Sequence, residues 1–254
     1  MARPVLYTCA GSRGLRATWA AQEAGVELDL KILPFPPRFK APEYLAINPL
    51  GTVPMLVDGD AQMTESCAIA HYLAVKGGAS ALVVAPDEPD FAAYLDYTYH
   101  ADATITFPQT VYMRFALFEK DKGWAEAGHA YAKWFYKRLV KVEQRLEGRE
   151  YLCADRFTVA DICVGYALIL AERVGLDEGV PTALKEYRRR LTALSAYQRA
   201  VQLENEGLLE ITRDDCACAT PPLPAPARIC CTPCAARTTE KTRGRRRCGR
   251  SAGS

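Results

Sequence analysis

The chain has 254 residues, 49% of them hydrophobic and 24% charged, with a net charge of +2, the composition of a globular protein of one large or two ordinary domains. No window approaches the roughly eighteen uninterrupted apolar residues of a transmembrane helix, and Met1-Ala2-Arg3-Pro4-Val5-Leu6 lacks the apolar stretch of a secretory signal, so a cytoplasmic chain with no membrane partner is expected. The charge averages two unlike parts: residues 216–254 carry eight Lys and Arg against one acid, which leaves −5 over residues 1–215, and an acidic body argues against nucleic acid as a partner.

Residues 4–7 read as a short strand that stops at Thr8-Cys9-Ala10-Gly11-Ser12. Leu15, Trp19, Ala20 and Ala24 then recur at helical spacing, and Gly25 supplies a stop. Val26 to Leu33 alternates apolar with polar, the period of a strand, and Pro34, Pro36 and Pro37 end it. A short helical piece is expected at 42–46, a strand at 53–57, a tight turn at Asp58-Gly59-Asp60, a brief strand at 62–63 and a helix from Ser66 to Val75. A βαβ unit followed by a hairpin and a closing helix is the thioredoxin-like arrangement, assigned to residues 1–77.

Residues 78–90, rich in Gly, Ala, Pro and Asp, read as a linker. Residues 91–209 read as an all-helical domain, with long amphipathic segments at 91–119 and 124–146, a nearly all-apolar and therefore central helix at 161–174, and shorter helices at about 182–190 and 193–206. The fold class is thus an α/β domain followed by an all-α domain.

Six of the ten cysteines fall in residues 216–254, whereas Cys9, Cys67, Cys153 and Cys163 are scattered through the body, the usage of a reducing compartment. Residues 210–254 are dominated by Cys, Pro, Ala, Arg, Gly and Thr without apolar periodicity, so a disordered tail or a frameshifted end is expected there. A zinc knot or a basic arm are the alternatives, but Cys216-x-Cys218 and Cys230-Cys231-x-x-Cys234 lack paired metal-ligand spacing. His71, His100 and His129 lack it too, and no metal is expected.

Four local features carry chemistry. Ser12 lies at the start of the first helix, where unpaired N–H groups and the helix dipole favour a bound thiolate; the plainer alternative is a helix cap. Pro54, in Asn48-Pro49-Leu50-Gly51-Thr52-Val53-Pro54, stands where a strand should begin. A cis Val53–Pro54 bond would turn the Val53 N–H and C=O outward to pair with an extended peptide, against the alternative of an edge-strand proline. Thr64-Glu65-Ser66 opens the next helix, where Ser66 could hold an α-carboxylate and Glu65 an ammonium. Lys40 could reach a second carboxylate.

On these motifs, together with Phe157-Thr158-Val159-Ala160-Asp161 and the ending Glu204-Asn-Glu-Gly207-Leu208, the chain resembles the glutathione S-transferase family from residue 4 to about 209. The resemblance implies conjugation of glutathione, a co-substrate rather than a permanently bound cofactor, to small hydrophobic electrophiles in detoxification. It implies Val53 and Pro54 at the cysteinyl part, Glu65 and Ser66 at the γ-glutamyl end, Lys40 at the glycyl carboxylate, and a homodimer. Ser12 falls where serine-type classes donate to the thiolate, which lowers the thiol pKa. Arg16 is expected to be a structural or weak electrostatic partner, and Thr158 with Asp161 a capping box. Cys9, as the first residue of a CxxS motif, is the alternative catalytic group, for glutathione-dependent thiol reduction. Thr104, Phe107 and Tyr112 are candidates for the electrophile pocket between the domains. A non-catalytic glutathione-binding scaffold, an isomerase or a dehalogenase on the same fold are further alternatives.

Overall fold

Four short strands form the only sheet among the residues that a computed structural model describes, 2–214. They are β1 (Val5–Thr8), β2 (Asp29–Ile32), β3 (Met55–Asp58) and β4 (Ala61–Met63), in the order β2-β1-β3-β4. β1 runs parallel to β2, and β3 runs antiparallel to both β1 and β4. The parallel pair needs a crossover, which α1 (Leu15–Ala24) supplies. Leu6 and Leu56 point to one face of the sheet and pack with Ala17 and Ala21 of α1 and with Ile69 and Leu73 of α3 (Ser66–Lys76). Met55 lies on the other face with Tyr44 and Ala41. This is the expected thioredoxin-like domain.

Two local departures have simple causes. Pro36 and Pro37 end the second strand, but Pro37 also starts a one-turn helix, α2 (Pro37–Lys40), because proline at a first helical position surrenders only an N–H that would be unpaired anyway. The expected piece at 42–46 is a 3₁₀ turn, Pro42–Ala46. The Val53–Pro54 peptide is cis, as the sequence suggests, and Phe35–Pro36 is cis as well.

The helical domain contains α4 (Phe91–His100), α5 (Phe107–Tyr112), α6 (Ala125–Arg145), α7 (Val159–Arg173), α8 (Thr182–Thr192) and α9 (Ser195–Asp214). The expected single helix over 91–119 is broken in its hydrogen-bond pattern: Ala101–Thr106 and Met113–Phe118 are π-helical. The last helix continues to Asp214, so the boundary expected at 210 falls inside it; Glu210–Asp214 contains no Gly or Pro to stop a helix. The expected disordered tail otherwise lies outside the described residues. Residues 78–90, expected as a linker, contain no α-helix or strand but are held in place. Leu82 and Val84 are buried in the core, Glu88 binds Arg156, and Asp90 binds Arg145 and Arg149.

α7 is the central helix, buried from Val159 to Ala171. Its start is fixed by Asp161, whose carboxylate accepts from the Thr158 N–H (2.8 Å), the Thr158 hydroxyl (2.9 Å), the Leu152 N–H (2.9 Å) and the Tyr187 hydroxyl (2.7 Å). The largest apolar cluster joins Leu15, Trp19 and Ala70 to Tyr94, Phe135, Ile162 and Ala200, so the α/β and helical domains share one core.

Candidate functional site

The loop from Thr8 to Gly14 carries Ser12 from the end of β1 to the start of α1. The helix begins at Leu15, whose N–H donates to the Ser12 carbonyl at 3.0 Å, so Ser12 precedes the first turn and does not cap it with its side chain. The Ser12 hydroxyl accepts the Gly14 N–H at 3.3 Å and lies 3.0 Å from the Thr8 hydroxyl. Thr8 is buried and also lies 3.3 Å from the Cys9 carbonyl. A hydroxyl has two acceptor sites and one proton. When Gly14 and Thr8 fill the Ser12 acceptor sites, its proton is left to donate outward. Only glycine fits at 14, since a Cβ there would stand 1.9 Å from Thr8 Oγ1.

Both domains hold this loop. The Gly11 N–H donates to Glu204 of α9 at 2.7 Å, and Glu204 also accepts from the Thr18 hydroxyl at 2.9 Å. The Gly11 carbonyl accepts from Arg173 of α7 at 2.7 Å. Burial lifts the Glu204 pKa to about 7, against the pull of Gly11, Thr18 and Arg173. Cys9 is buried beneath the loop, with its thiol directed at the Pro34 carbonyl (3.8 Å). Burial, reinforced by Glu204, pushes the Cys9 pKa up to about 12, which keeps the thiol protonated and weakly nucleophilic at neutral pH.

The second wall is the segment from Tyr44 to Pro54. Asn48 is buried and donates to the Thr52 carbonyl at 2.8 Å while accepting the Leu50 N–H at 3.1 Å; the Tyr44 hydroxyl donates to the same carbonyl at 2.7 Å. Gly51 adopts a φ of +58° and lies against Arg38 and Leu45, which brings α2 beside the loop. Among the described residues neither the Val53 N–H nor its carbonyl has a hydrogen-bond partner. Lys40, at the end of α2, is exposed and makes no ion pair among the described residues.

The third wall is the start of α3. Glu65 precedes the helix in an extended conformation, exposed and with its side chain not used as a cap. The first N–H groups of the helix lack intrahelical acceptors. The Ser66 hydroxyl, which the sequence offers to a carboxylate, is already an acceptor for Arg16 at 2.9 Å; its own proton remains. Arg16 itself is fully buried and is more than a weak partner. It donates to Ser66, to Asp102 at 2.7 Å, to Thr106 at 2.8 Å and to the Cys163 carbonyl at 3.3 Å, with the Tyr166 ring 4.6 Å away. Burial works against its charge, yet Cys67, Asp102 and Cys163 hold its pKa above the ordinary value. Arg16 therefore ties the α3 start to both α7 and the helical segment after α4.

Two of the three electrophile-pocket candidates lie against the same helix. Phe107 is exposed and meets Tyr131, and Tyr112 is buried against His129, so both rings lie against α6; Thr104 is half-buried. Asp102, Thr106 and Thr110 instead face α1. Arg13 reaches Asp102 at 3.3 Å and Thr110 at 2.7 Å, and Arg16 reaches Thr106. The π-helical turns around α5 change the phase of the side chains, which helical spacing alone does not reveal. Arg13 and Asp102 were not singled out by the sequence, and Glu204 was noted only as part of the ending motif. The four-residue steps between Asp102, Thr106 and Thr110 are a signal for Asp102 alone.

A cavity of about 430 Å³ opens elsewhere, between β2, Tyr44 and the end of α9, and includes none of the site residues expected from the sequence. No helix among the described residues is long and apolar enough to cross a membrane.

Comparison with known proteins places similar chains in one family. The family described as "Glutathione S-transferase, N-terminal domain" matches residues 12–76. Glutathione S-transferase 3 of Zea mays is 31% identical over 172 residues, 64% of this chain and 76% of the relative. Glutathione S-transferase GST-4.5 of Xanthomonas campestris is 27% identical over 172 residues, 65% of this chain and 81% of the relative. A sphingomonad glutathione S-transferase, solved in complex with glutathione, superimposes with a TM-score of 0.68 at 25% identity and covers 79% of this chain and 98% of its own.

Proposed function

The chain belongs to the glutathione S-transferase family, and on that footing we propose that it is a cytoplasmic, homodimeric transferase that conjugates glutathione to small hydrophobic electrophiles. Glutathione lies extended along the Val53–Pro54 segment, its cysteinyl amide groups pairing with the Val53 N–H and C=O. Its γ-glutamyl carboxylate takes the N–H groups and the Ser66 hydroxyl at the start of α3, its ammonium meets Glu65, and its glycyl carboxylate reaches Lys40. The thiol comes to Ser12.

The observation that carries this reading is the bonding of Ser12. When the Thr8 hydroxyl donates to its oxygen alongside the Gly14 N–H, the serine can send its proton to sulfur. A donor aimed at S⁻ stabilises the thiolate over the thiol, and each unit by which the thiol pKa falls corresponds to about 1.4 kcal/mol. The thiolate then attacks the electrophilic carbon: the S–C bond forms and the leaving group departs with its electron pair. The shared core and the Arg16 hub keep the walls of the groove in register.

Thiol reduction through Cys9 is disfavoured, because burial keeps that sulfur protonated. A pair of variants tests the choice with a chloronitrobenzene-type electrophile. Ser12→Ala should lower kcat/KM on the order of tenfold to a hundredfold, whereas Cys9→Ala should leave conjugation nearly intact. Loss of a disulfide-reducing activity in Cys9→Ala alone would favour the reductase, and glutathione binding without turnover in either assay would favour a scaffold.

A further inference from the structure

β2 is an outer strand of the sheet, and its register with β1 fixes which of its backbone groups are used. The Asp29 N–H donates to the Pro4 carbonyl at 2.8 Å and the Leu33 N–H to the Thr8 carbonyl at 2.7 Å. Odd-numbered residues therefore face β1, and the N–H and C=O groups of Leu30 and Ile32 point away from the sheet. Among the described residues none of these four groups has a hydrogen-bond partner. We propose that this free edge is a docking site for a short extended peptide that carries Lys or Arg and adds a fifth strand beside β2. The reading needs nothing from the conjugation chemistry proposed above.

The cavity of about 430 Å³ supplies the space, for it touches Leu30, Lys31, Ile32 and Leu33 in succession. Tyr7 and Lys31 are register partners on one face of the sheet, whereas Leu30 and Ile32 lie on the other. A hollow that meets both faces wraps around the edge of the strand. α9 forms its far wall. Gly207 lies so close to β2 that a Cβ there would stand 2.5 Å from Ile32 Cγ1, and Glu210 and Ile211 follow one turn on. The helix shields the edge without bonding to it, because its own backbone groups are paired within the helix. Ile32 is buried, and a shielded backbone group without a partner favours any ligand that brings its own N–H or C=O. Four residues of extended chain span about 13 Å, the run that residues 30–33 offer.

Charge selects the kind of peptide. Lys31, the cation of the wall, pairs with Asp29 at 2.9 Å. Glu43, beside Tyr44, and Glu210, on α9, are exposed and enter no ion pair among the described residues. The unpaired charge around the edge is therefore negative, on the Tyr44 side and on the α9 side. That suits two neighbouring cationic residues, since successive side chains of a strand point to opposite faces. The Tyr7 and Tyr44 rings, 5.6 Å apart, add apolar contact. In strand addition the main-chain bonds give affinity and the side-chain contacts give specificity.

The test uses the full-length protein and a capped Val-Lys-Lys-Val tetrapeptide, with amide hydrogen exchange followed by NMR. Saturating peptide should slow exchange at Leu30 and Ile32 roughly fivefold or more and leave Lys31, already bonded to β1, unchanged. Methylating alternate peptide nitrogens should weaken binding roughly fivefold or more. Glu43→Gln and Glu210→Gln should each weaken it about two- to fivefold while leaving a Val-Thr-Thr-Val peptide unaffected. Unaltered exchange at Leu30 and Ile32 would overturn the proposal, as would equal binding of the methylated peptide or of Val-Glu-Glu-Val. Lysine amide binding as tightly as the tetrapeptide would also overturn it, since the cavity would then hold a small organic cation without strand pairing.

Discussion

Ser12 can act only through its neighbours. Its proton is available to a ligand when Thr8 donates to it, and Thr8 can instead donate to the Cys9 carbonyl. Thr8→Val keeps the shape and removes the hydroxyl, so Ser12 loses one acceptor contact and its preferred orientation. The expected outcome is a fall in kcat of several-fold to about tenfold, on the scale of one lost neutral hydrogen bond of about 1 kcal/mol, with glutathione binding by calorimetry nearly unchanged. Unchanged kcat would show that Thr8 has no hold on the serine. Most of this arrangement was legible. Ser12, Val53 and Ser66 stand out in the sequence by their positions at element ends, where backbone groups are left unpaired. Thr8 was not, because its role depends on the loop doubling back over four residues. Arg16, expected as a structural or weak electrostatic partner, is the structural one: its five acceptors come from three separate segments, which no local pattern connects.

At the scale of elements, the hold of α9 on the α1 loop is the least expected feature. Glu204 and Gly11 are separated by 193 positions, and no local pattern connects them. Strands and helices came out in the expected order because periodicity is local, with ends displaced by a few residues. The π-helical turns around α5 were invisible for the converse reason. They change which residues face α1 without changing composition, and so Phe107 and Tyr112 turn to α6. Glu204 also makes stability depend on pH. Its pKa in the folded protein, about 7, exceeds that of a carboxylate in an unfolded chain. Between those values the folded state holds a proton that the unfolded state has released, so stability falls as pH rises. Between about pH 5 and pH 8 the wild type should lose on the order of 2 kcal/mol relative to Glu204→Gln, measured by urea unfolding of both at each pH. Parallel curves would contradict the burial of a titrating carboxylate there.

On the scale of the molecule, the two domains read separately in sequence, one α/β and one helical, yet they do not have separate cores. Leu15, Trp19 and Ala70 belong to the same cluster as Tyr94, Phe135 and Ile162, and Arg16 binds across the junction. One cooperative transition is therefore expected. Tryptophan fluorescence and far-ultraviolet circular dichroism should give the same urea midpoint, and a plateau in either would mean that the domains unfold apart. A groove walled by the α/β domain, with its first loop held by Glu204 and Arg173 of the helical domain, needs such a shared core to keep its walls in register. The most direct measurement of what that groove does is the ionisation of bound glutathione, followed by thiolate absorbance against pH in the wild type and in Ser12→Ala. The account predicts a bound thiol that ionises near neutral pH in the wild type and moves back toward its free value in the variant. The same titration curve in both proteins, with glutathione bound in each, would contradict it.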